Sequence, residues 1–170
     1  MAHQKDPKRQ LQGRQAKEKG RRFEARLNEA FTYYLERGFA DVNKTPEPMR
    51  VTKNLGNGKF LAFYEKKAQP DYEGTIKGGR SVIFEAKFTD TDRMEQTRVT
   101  PEQAKYIDRK HRLGARCFVL AGFGSGEVYC IPWSVWTCMK ELFGRKYVRE
   151  TDLEKYRVPL ARNNVLLIFS

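Results

Sequence analysis

Between Gly20 and Gly38 the apolar residues recur at helical spacing. Phe23, Leu27, Ala30, Phe31 and Tyr34 fall on one stripe, at intervals of three and four. This pattern predicts a helix that stops at Gly38, with Glu24 at the edge of the apolar stripe. Phe39–Val42 then reads as a short strand. Pro46 and Pro48 exclude a central strand after it. Beyond them Met49, Val51, Leu61 and Phe63 alternate about an Asn-Leu-Gly-Asn-Gly turn, which predicts a hairpin excursion over about 43–67. A second strand pair, 68–76 and 80–88, surrounds Lys77-Gly78-Gly79.

Thr100-Pro101-Glu102-Gln103 has the form of a helix start, with Thr as the cap, Pro first and Gln third, and the helix is expected to reach Leu113. The nearly unbroken apolar run 116–123 suits a strand covered on both faces. A turn at Gly124-Ser125-Gly126 leads into a strand at Val128–Ile131, and Ser134 opens a helix expected to reach Phe143. A helical turn near Thr151–Glu154 and a last strand over Val165–Phe169 complete the pattern. The order predicts one α/β domain over 20–170, with helices on a mixed sheet and the basic hairpin as an insertion.

The chemistry is concentrated in the strand pair. Along 80–88, Val82, Phe84, Ala86 and Phe88 share one face, while Ile83, Glu85 and Lys87 share the other. Glu85 and Lys87 therefore emerge together, about 7 Å apart at Cα. A two-residue loop would pair Asp71 with Ala86 and send its carboxylate to the wrong face. A three-residue loop, Lys77-Gly78-Gly79, pairs Asp71 with Glu85, and a glycine is available for the left-handed position such loops favour. In the second register, the expected one, the two carboxylates stand opposite each other, with Cβ atoms about 5 Å apart. A divalent cation relieves the repulsion of such a pair, and oxygen donors alone select Mg²⁺ or Mn²⁺ over Zn²⁺. The Ala86 carbonyl is a third candidate oxygen, and Lys87 is placed to hold or polarise the attacking water. The bland alternative is a salt-bridged cluster on the sheet face.

Further candidates are weaker. Glu24 is placed to reach the ion through water, or is a solvated flank residue. Gln103 orients the water, or only completes the capping box. Glu73 shares the Asp71 face as an accessory acid. His111 reads as a surface residue, and Trp133 and Trp136 as core or a protein contact.

Charge then narrows the partner. The chain has 170 residues with 33 basic and 21 acidic ones, a formal net charge of +12, which points to nucleic acid. Lys44, Arg50, Lys53, Lys59, Lys66 and Lys67 stud the hairpin region. Residues 1–19, with Arg14 and Lys17 among their cations, carry no apolar period and read as a disordered or loosely helical arm, either solubilising or in contact with DNA. No stretch is apolar enough to span a bilayer, and the N-terminus has no secretory pattern. Cys117, Cys130 and Cys138 form neither a zinc set nor a disulfide framework, and read as buried or half-buried thiols in a reducing cytoplasm.

Pro70-Asp71 followed by Glu85-Ala86-Lys87 resembles the PD-(D/E)xK nuclease superfamily. Its context, E-K-G-R-R-F-E-A-R-L-N-E-A-F-T-Y-Y, then K-T-P-E-P-M-R-V, then the strand pair and Q-A-K-Y-I, resembles the RecU family of Holliday-junction resolvases over about 18–135. The resemblance implies a restriction-endonuclease-like mixed sheet flanked by helices, with 43–67 as a projecting stalk that enters a four-way junction. It implies a cytoplasmic homodimer that nicks two strands symmetrically with Mg²⁺, or Mn²⁺ as substitute. Asp71 and Glu85 inherit metal binding, Lys87 the catalytic lysine, Glu24 the acidic position of the first helix and Gln103 the glutamine of the next. The chain departs from the family pattern at Pro70, where members carry a hydroxyl residue, and at Ile83, where they carry an acid. A nuclease for duplex, flap or single-strand ends and a non-catalytic junction-binding protein are the alternatives.

Overall fold

The computed structural model describes residues 7–46, 48–64 and 69–169. Helix α1 (Pro7–Glu36) is followed by β1 (Ala40–Lys44), a hairpin of β2 (Met49–Gly56) and β3 (Lys59–Tyr64), then β4 (Tyr72–Ile76) and β5 (Arg80–Thr89). After β6 (Arg93–Glu95) come α2 (Pro101–Arg112), β7 (Arg116–Phe123), β8 (Val128–Pro132), two short helices α3 (Trp133–Thr137) and α4 (Met139–Phe143), and β9 (Tyr147–Arg149). None of the helices is long and apolar enough among the described residues to cross a membrane.

The main sheet runs β1-β4-β5-β7-β8, with β5 and β7 parallel and the other neighbours antiparallel. The parallel pair needs a crossover, which α2 supplies. Alternation along β5 divides the core in two. Val82 and Phe84 pack under α1 with Phe23, Leu27 and Phe31, and Ile83 packs with Ile107, Trp133 and Trp136 on the other face. On the α1 side the rings of Tyr72, Phe84 and Phe118 stack in series, with centroids 5.0 and 4.7 Å apart. Phe23 lies so close to β7 that a Cβ at Gly122 would come within 2.7 Å of its ring. The mixed sheet between helices and the separate hairpin agree with the architecture expected from sequence.

Several boundaries differ. Residues 7–19 are helical and continuous with α1, which matches the helical of the two readings of the arm and not the disordered one. Pro7 suits a first turn, and the Gln, Arg, Lys and Ala around it favour helix without needing an apolar face. Residues 1–6 of that arm lie outside the described residues. Asn43 and Lys44 belong to β1, opposite Glu73 and Tyr72, so the hairpin proper begins at Met49. The single helix expected from Ser134 is broken at Cys138. A continuous helix would carry Met139 roughly 120° round from Trp133, whereas all three of Trp133, Trp136 and Met139 are buried here. The last apolar segment is no strand. It turns back with Ala161 N donating to Val165 O at 2.8 Å, and buries Leu166 and Ile168 beneath α1. The β6–β9 pair, three residues each, has no periodic signal in the sequence. Cys117 is buried and Cys130 half-buried as expected, but Cys138 is exposed. Trp133 and Trp136 are core residues, and His111 is exposed.

Candidate active site

The connection between β4 and β5 determines the site. Ile76 pairs with Arg80 and Tyr72 with Phe84, so the loop is Lys77-Gly78-Gly79, and both glycines take positive φ, 93° and 83°. Continuing that register places Asp71 opposite Glu85. The ladder ends at Tyr72, and past Phe84 the edge of β5 is free of β4. Side chains fill that opening: Asp71 N donates to Glu85 Oε2 at 3.0 Å, and Ala86 N donates to Asp71 Oδ2 at 3.2 Å.

Glu85 has no solvent exposure. Lys87 Nζ donates to its Oε1 and lies 3.8 Å from Asp71 Oδ2, so one cation serves two acids. Gln103 Nε2 donates to the same Oε1 at 2.7 Å. Burial pushes the Glu85 carboxyl up to about 7, Asp71 pushes the same way, and Lys87 opposes them. The environment thus disfavours two negative charges sharing one ammonium.

Gln103 closes the capping box and also reaches Glu85. Its Oε1 accepts from Thr100 N at 3.1 Å and its N donates to Thr100 Oγ1 at 3.2 Å, closing the capping box, while its amide nitrogen holds Glu85. Gln103→Ala is expected to cost about 1–2 kcal/mol, through half a capping box and one buried hydrogen bond. Urea unfolding at neutral pH measures it, and an unchanged midpoint would count against the double role.

Glu24 arrives from α1 and is half-exposed, with its Oε2 2.9 Å from Lys44 Nζ. Lys44 is thereby tied to this acid in addition to its place in the basic set. Glu73 faces Tyr106 of α2, whose phenol is pushed up to about 12 by burial first and by Glu73 second. Arg50, Lys53 and Lys59 are exposed on the hairpin, as are Arg14 and Lys17 on α1. Lys66 and Lys67 lie outside the described residues. Among the described residues no group of three or more His, Cys, Asp or Glu is arranged to hold a metal.

Two polar groups escaped the sequence reading. Tyr72 reads there as one more apolar position, and Thr45 as part of a proline-rich connection. Thr45 N donates to Asp71 O at 2.9 Å, so both residues border Asp71.

Together these features define a small α/β domain with a basic surface, whose strands β4 and β5 part around a largely buried acid–acid–lysine cluster. The family model for RecU, Recombination protein U, matches residues 18–169, and the chain belongs to that family. It is 32% identical over 123 residues to "Holliday junction resolvase RecU" of Streptococcus sanguinis strain SK36, covering 68% of this chain and 61% of that protein. The namesake of Bacillus pumilus strain SAFR-032 is 32% identical over 147 residues, covering 79% and 69%. The chain thus spans less than two thirds of the streptococcal relative's length. A solved structure of Archaeoglobus fulgidus Hjc, described as a Holliday junction resolvase, superposes with a TM-score of 0.48 at 12% identity, over 79% of this chain and 91% of that one.

Proposed function

We propose that this protein is a divalent-metal-dependent endonuclease that resolves four-way DNA junctions, acting in the cytoplasm as a homodimer that nicks two strands symmetrically. The observation that carries this reading is the convergence of Asp71, Glu85 and Lys87 where β4 and β5 part, within a chain of the RecU family.

The donor set fits a hard cation. It is all oxygen, Glu85 is buried, and its ionisation is disfavoured until further positive charge joins Lys87. Asp71, Glu85 and the Ala86 carbonyl would hold the ion, an all-oxygen set that suits Mg²⁺ with Mn²⁺ as substitute. When bound, the ion lowers the pKa of a water and neutralises charge on the phosphate. Lys87 holds and polarises the attacking water. Gln103 fixes the Glu85 carboxylate and Glu24 acts through water, so both are positioning residues. Arg50, Lys53 and Lys59, with Lys44, Lys66, Lys67, Arg14 and Lys17, bind phosphates. The homodimer follows from the symmetry of the product, since a two-fold axis relates two sites as it relates two nicks.

The test is cleavage of a synthetic four-way junction and of a linear duplex of the same sequence, in a Mg²⁺ titration. The expected result is paired nicks on the junction and slower cutting of the duplex. Equal rates would remove the junction preference and leave a general nuclease. A protein that binds the junction but never cuts in Mg²⁺ or Mn²⁺ would be an architectural one.

A further inference from the structure

The outward face of α2 is a row of cations. Gln103 and Ile107 are buried and turn the helix toward the sheet, where Ile107 packs with Ile83. Helical geometry then places Lys105, Arg109 and Arg112 on the opposite face, four and three residues apart, and all three are exposed. Among the described residues none of the three pairs with a carboxylate. Asp108, on the flank of the row, is taken up by Trp133, whose Nε1 donates to its Oδ1 at 2.6 Å. A fourth cation joins from the β4–β5 hairpin. Arg80 is exposed, and its Nε donates to Gly114 O at 3.2 Å, at the C-terminal end of α2.

A basic last turn by itself complements the helix dipole, and Arg109 and Arg112 lie in that turn. The dipole does not account for Lys105, which precedes the turn and stands four residues from Arg109, where like charges disfavour a helix. Nor does it account for Arg80, which belongs to another element. The row is therefore carried at a cost to α2, and a polyanion relieves it. Its length suits DNA: Lys105 and Arg112 are about 10 Å apart along the helix axis, and one DNA strand advances ~3.4 Å per phosphate, so three phosphates face three cations. Its position suits the reaction. Glu85 pairs with Val119 and Lys87 with Ala121, and both partners pack with Ile107, so α2 covers the face that carries Glu85 and Lys87. Gln103, whose Nε2 donates to Glu85 Oε1, is two residues before Lys105. The row thus begins beside the acid–acid–lysine cluster and leads away from it on the same side of the sheet.

We propose that Lys105, Arg109, Arg112 and Arg80 form a phosphate-binding row that holds the duplex arm on which the cut is made, distinct from the basic hairpin. The inference rests on the reading of this protein as a DNA-cutting enzyme and extends its DNA surface to α2. Contacts to phosphates position a duplex without reading its sequence, so the row holds linear duplex and junction arms alike.

The experiment measures binding of the full chain to a linear duplex and to a four-way junction, by fluorescence anisotropy across a KCl series in EDTA, where no strand is cut. The variants are Arg112→Gln, Arg80→Gln and the triple Lys105→Gln/Arg109→Gln/Arg112→Gln. A control triple, Lys140→Gln/Lys155→Gln/Arg162→Gln, removes the same charge from exposed positions on other elements. Each single variant is expected to make the slope of log K against log salt shallower by about 1 per protomer, and the α2 triple by about 3, on both substrates. The ratio of junction to duplex affinity stays that of wild type, and the control triple keeps a slope near that of wild type. The single variants carry the test if the triple fails to fold. Slopes unchanged in the α2 variants, or changed equally in the control, would reduce the row to a solvated face and overturn the proposal. A loss confined to the junction would overturn it too, since the row would then belong to the branch and not to the arm. Wild type that binds neither DNA would sink the DNA-cutting reading itself, whereas wild type that binds and nicks the junction, with the α2 variants indistinguishable from it, would sink this inference alone.

Discussion

Glu85→Gln is expected to slow junction cutting by about 10³-fold or more and, at the same time, to stabilise the metal-free protein at pH 8. The two effects have one source. Glu85 is buried beside Asp71, and one lysine serves both. Its folded pKa is raised to about 7 by burial and by Asp71, above the ordinary 4.5. The folded state therefore holds the Glu85 proton more tightly than the unfolded chain does. Below the unfolded pKa Glu85 is neutral in both states and costs nothing. As pH rises toward 7 the unfolded chain releases its proton first, and stability falls. Above 7 the full cost is present, on the order of 3 kcal/mol. Glutamine keeps the shape and never ionises, so the variant gains its largest advantage at pH 8 and none near pH 4. Added Mg²⁺ reverses the ranking, because an ion bound only to the folded state raises the wild-type melting temperature by mass action while the variant responds weakly. Urea unfolding at pH 4, 6 and 8, with and without Mg²⁺, tests this. A variant less stable than wild type at pH 8 in EDTA would show that the acid pair is no liability to the ion-free fold.

The acid pair was legible because a β-hairpin leaves so few choices. Once the loop is fixed as Lys77-Gly78-Gly79, alternation dictates which side chains share a face, and Asp71 meets Glu85. The same holds for Thr100-Pro101-Glu102-Gln103, where capping chemistry is local. What the sequence did not disclose depends on approach between distant segments. Lys44 reads as one more cation of a basic hairpin, and its pairing with Glu24 appears only when β1 lies under α1. Tyr72 is indistinguishable by periodicity from Phe84, and that its hydroxyl is buried without a partner among the described residues emerges only from the packing. The terminal 165–169 segment has a strand's composition, yet its apolar side chains find burial under α1 with an isolated bridge between Leu160 and Leu166 in place of a ladder. The break at Cys138 likewise serves tertiary packing, which local propensity does not encode.

Replacing 49–64 with a two- or three-residue linker is expected to leave the fold intact and remove the preference for branched DNA. Among the described residues the strands β2 and β3 pair with each other and join neither of the other sheets. Met49, Val51, Leu55, Phe60, Leu61 and Phe63 are all exposed, so their removal takes nothing from the two core clusters. Met49 and Tyr64 form the terminal pair of the ladder, and residues so paired lie about 5 Å apart, a gap that a short linker closes without strain. The melting temperature should change by no more than about 3 °C, which corresponds to less than about 1 kcal/mol. The hairpin also removes Arg50, Lys53 and Lys59. If each meets one phosphate, the slope of log K against log salt becomes shallower by about 3 per protomer. Asp71, Glu85, Lys87 and Gln103 stay in place, so cutting of linear duplex should persist in Mg²⁺ while the advantage of the four-way junction disappears. Binding of both substrates across a salt series, with nicking rates beside it, separates the two contributions. A shortened chain that still prefers the junction, with an unaltered salt slope, would place branch recognition on the body of the domain and take the hairpin out of it.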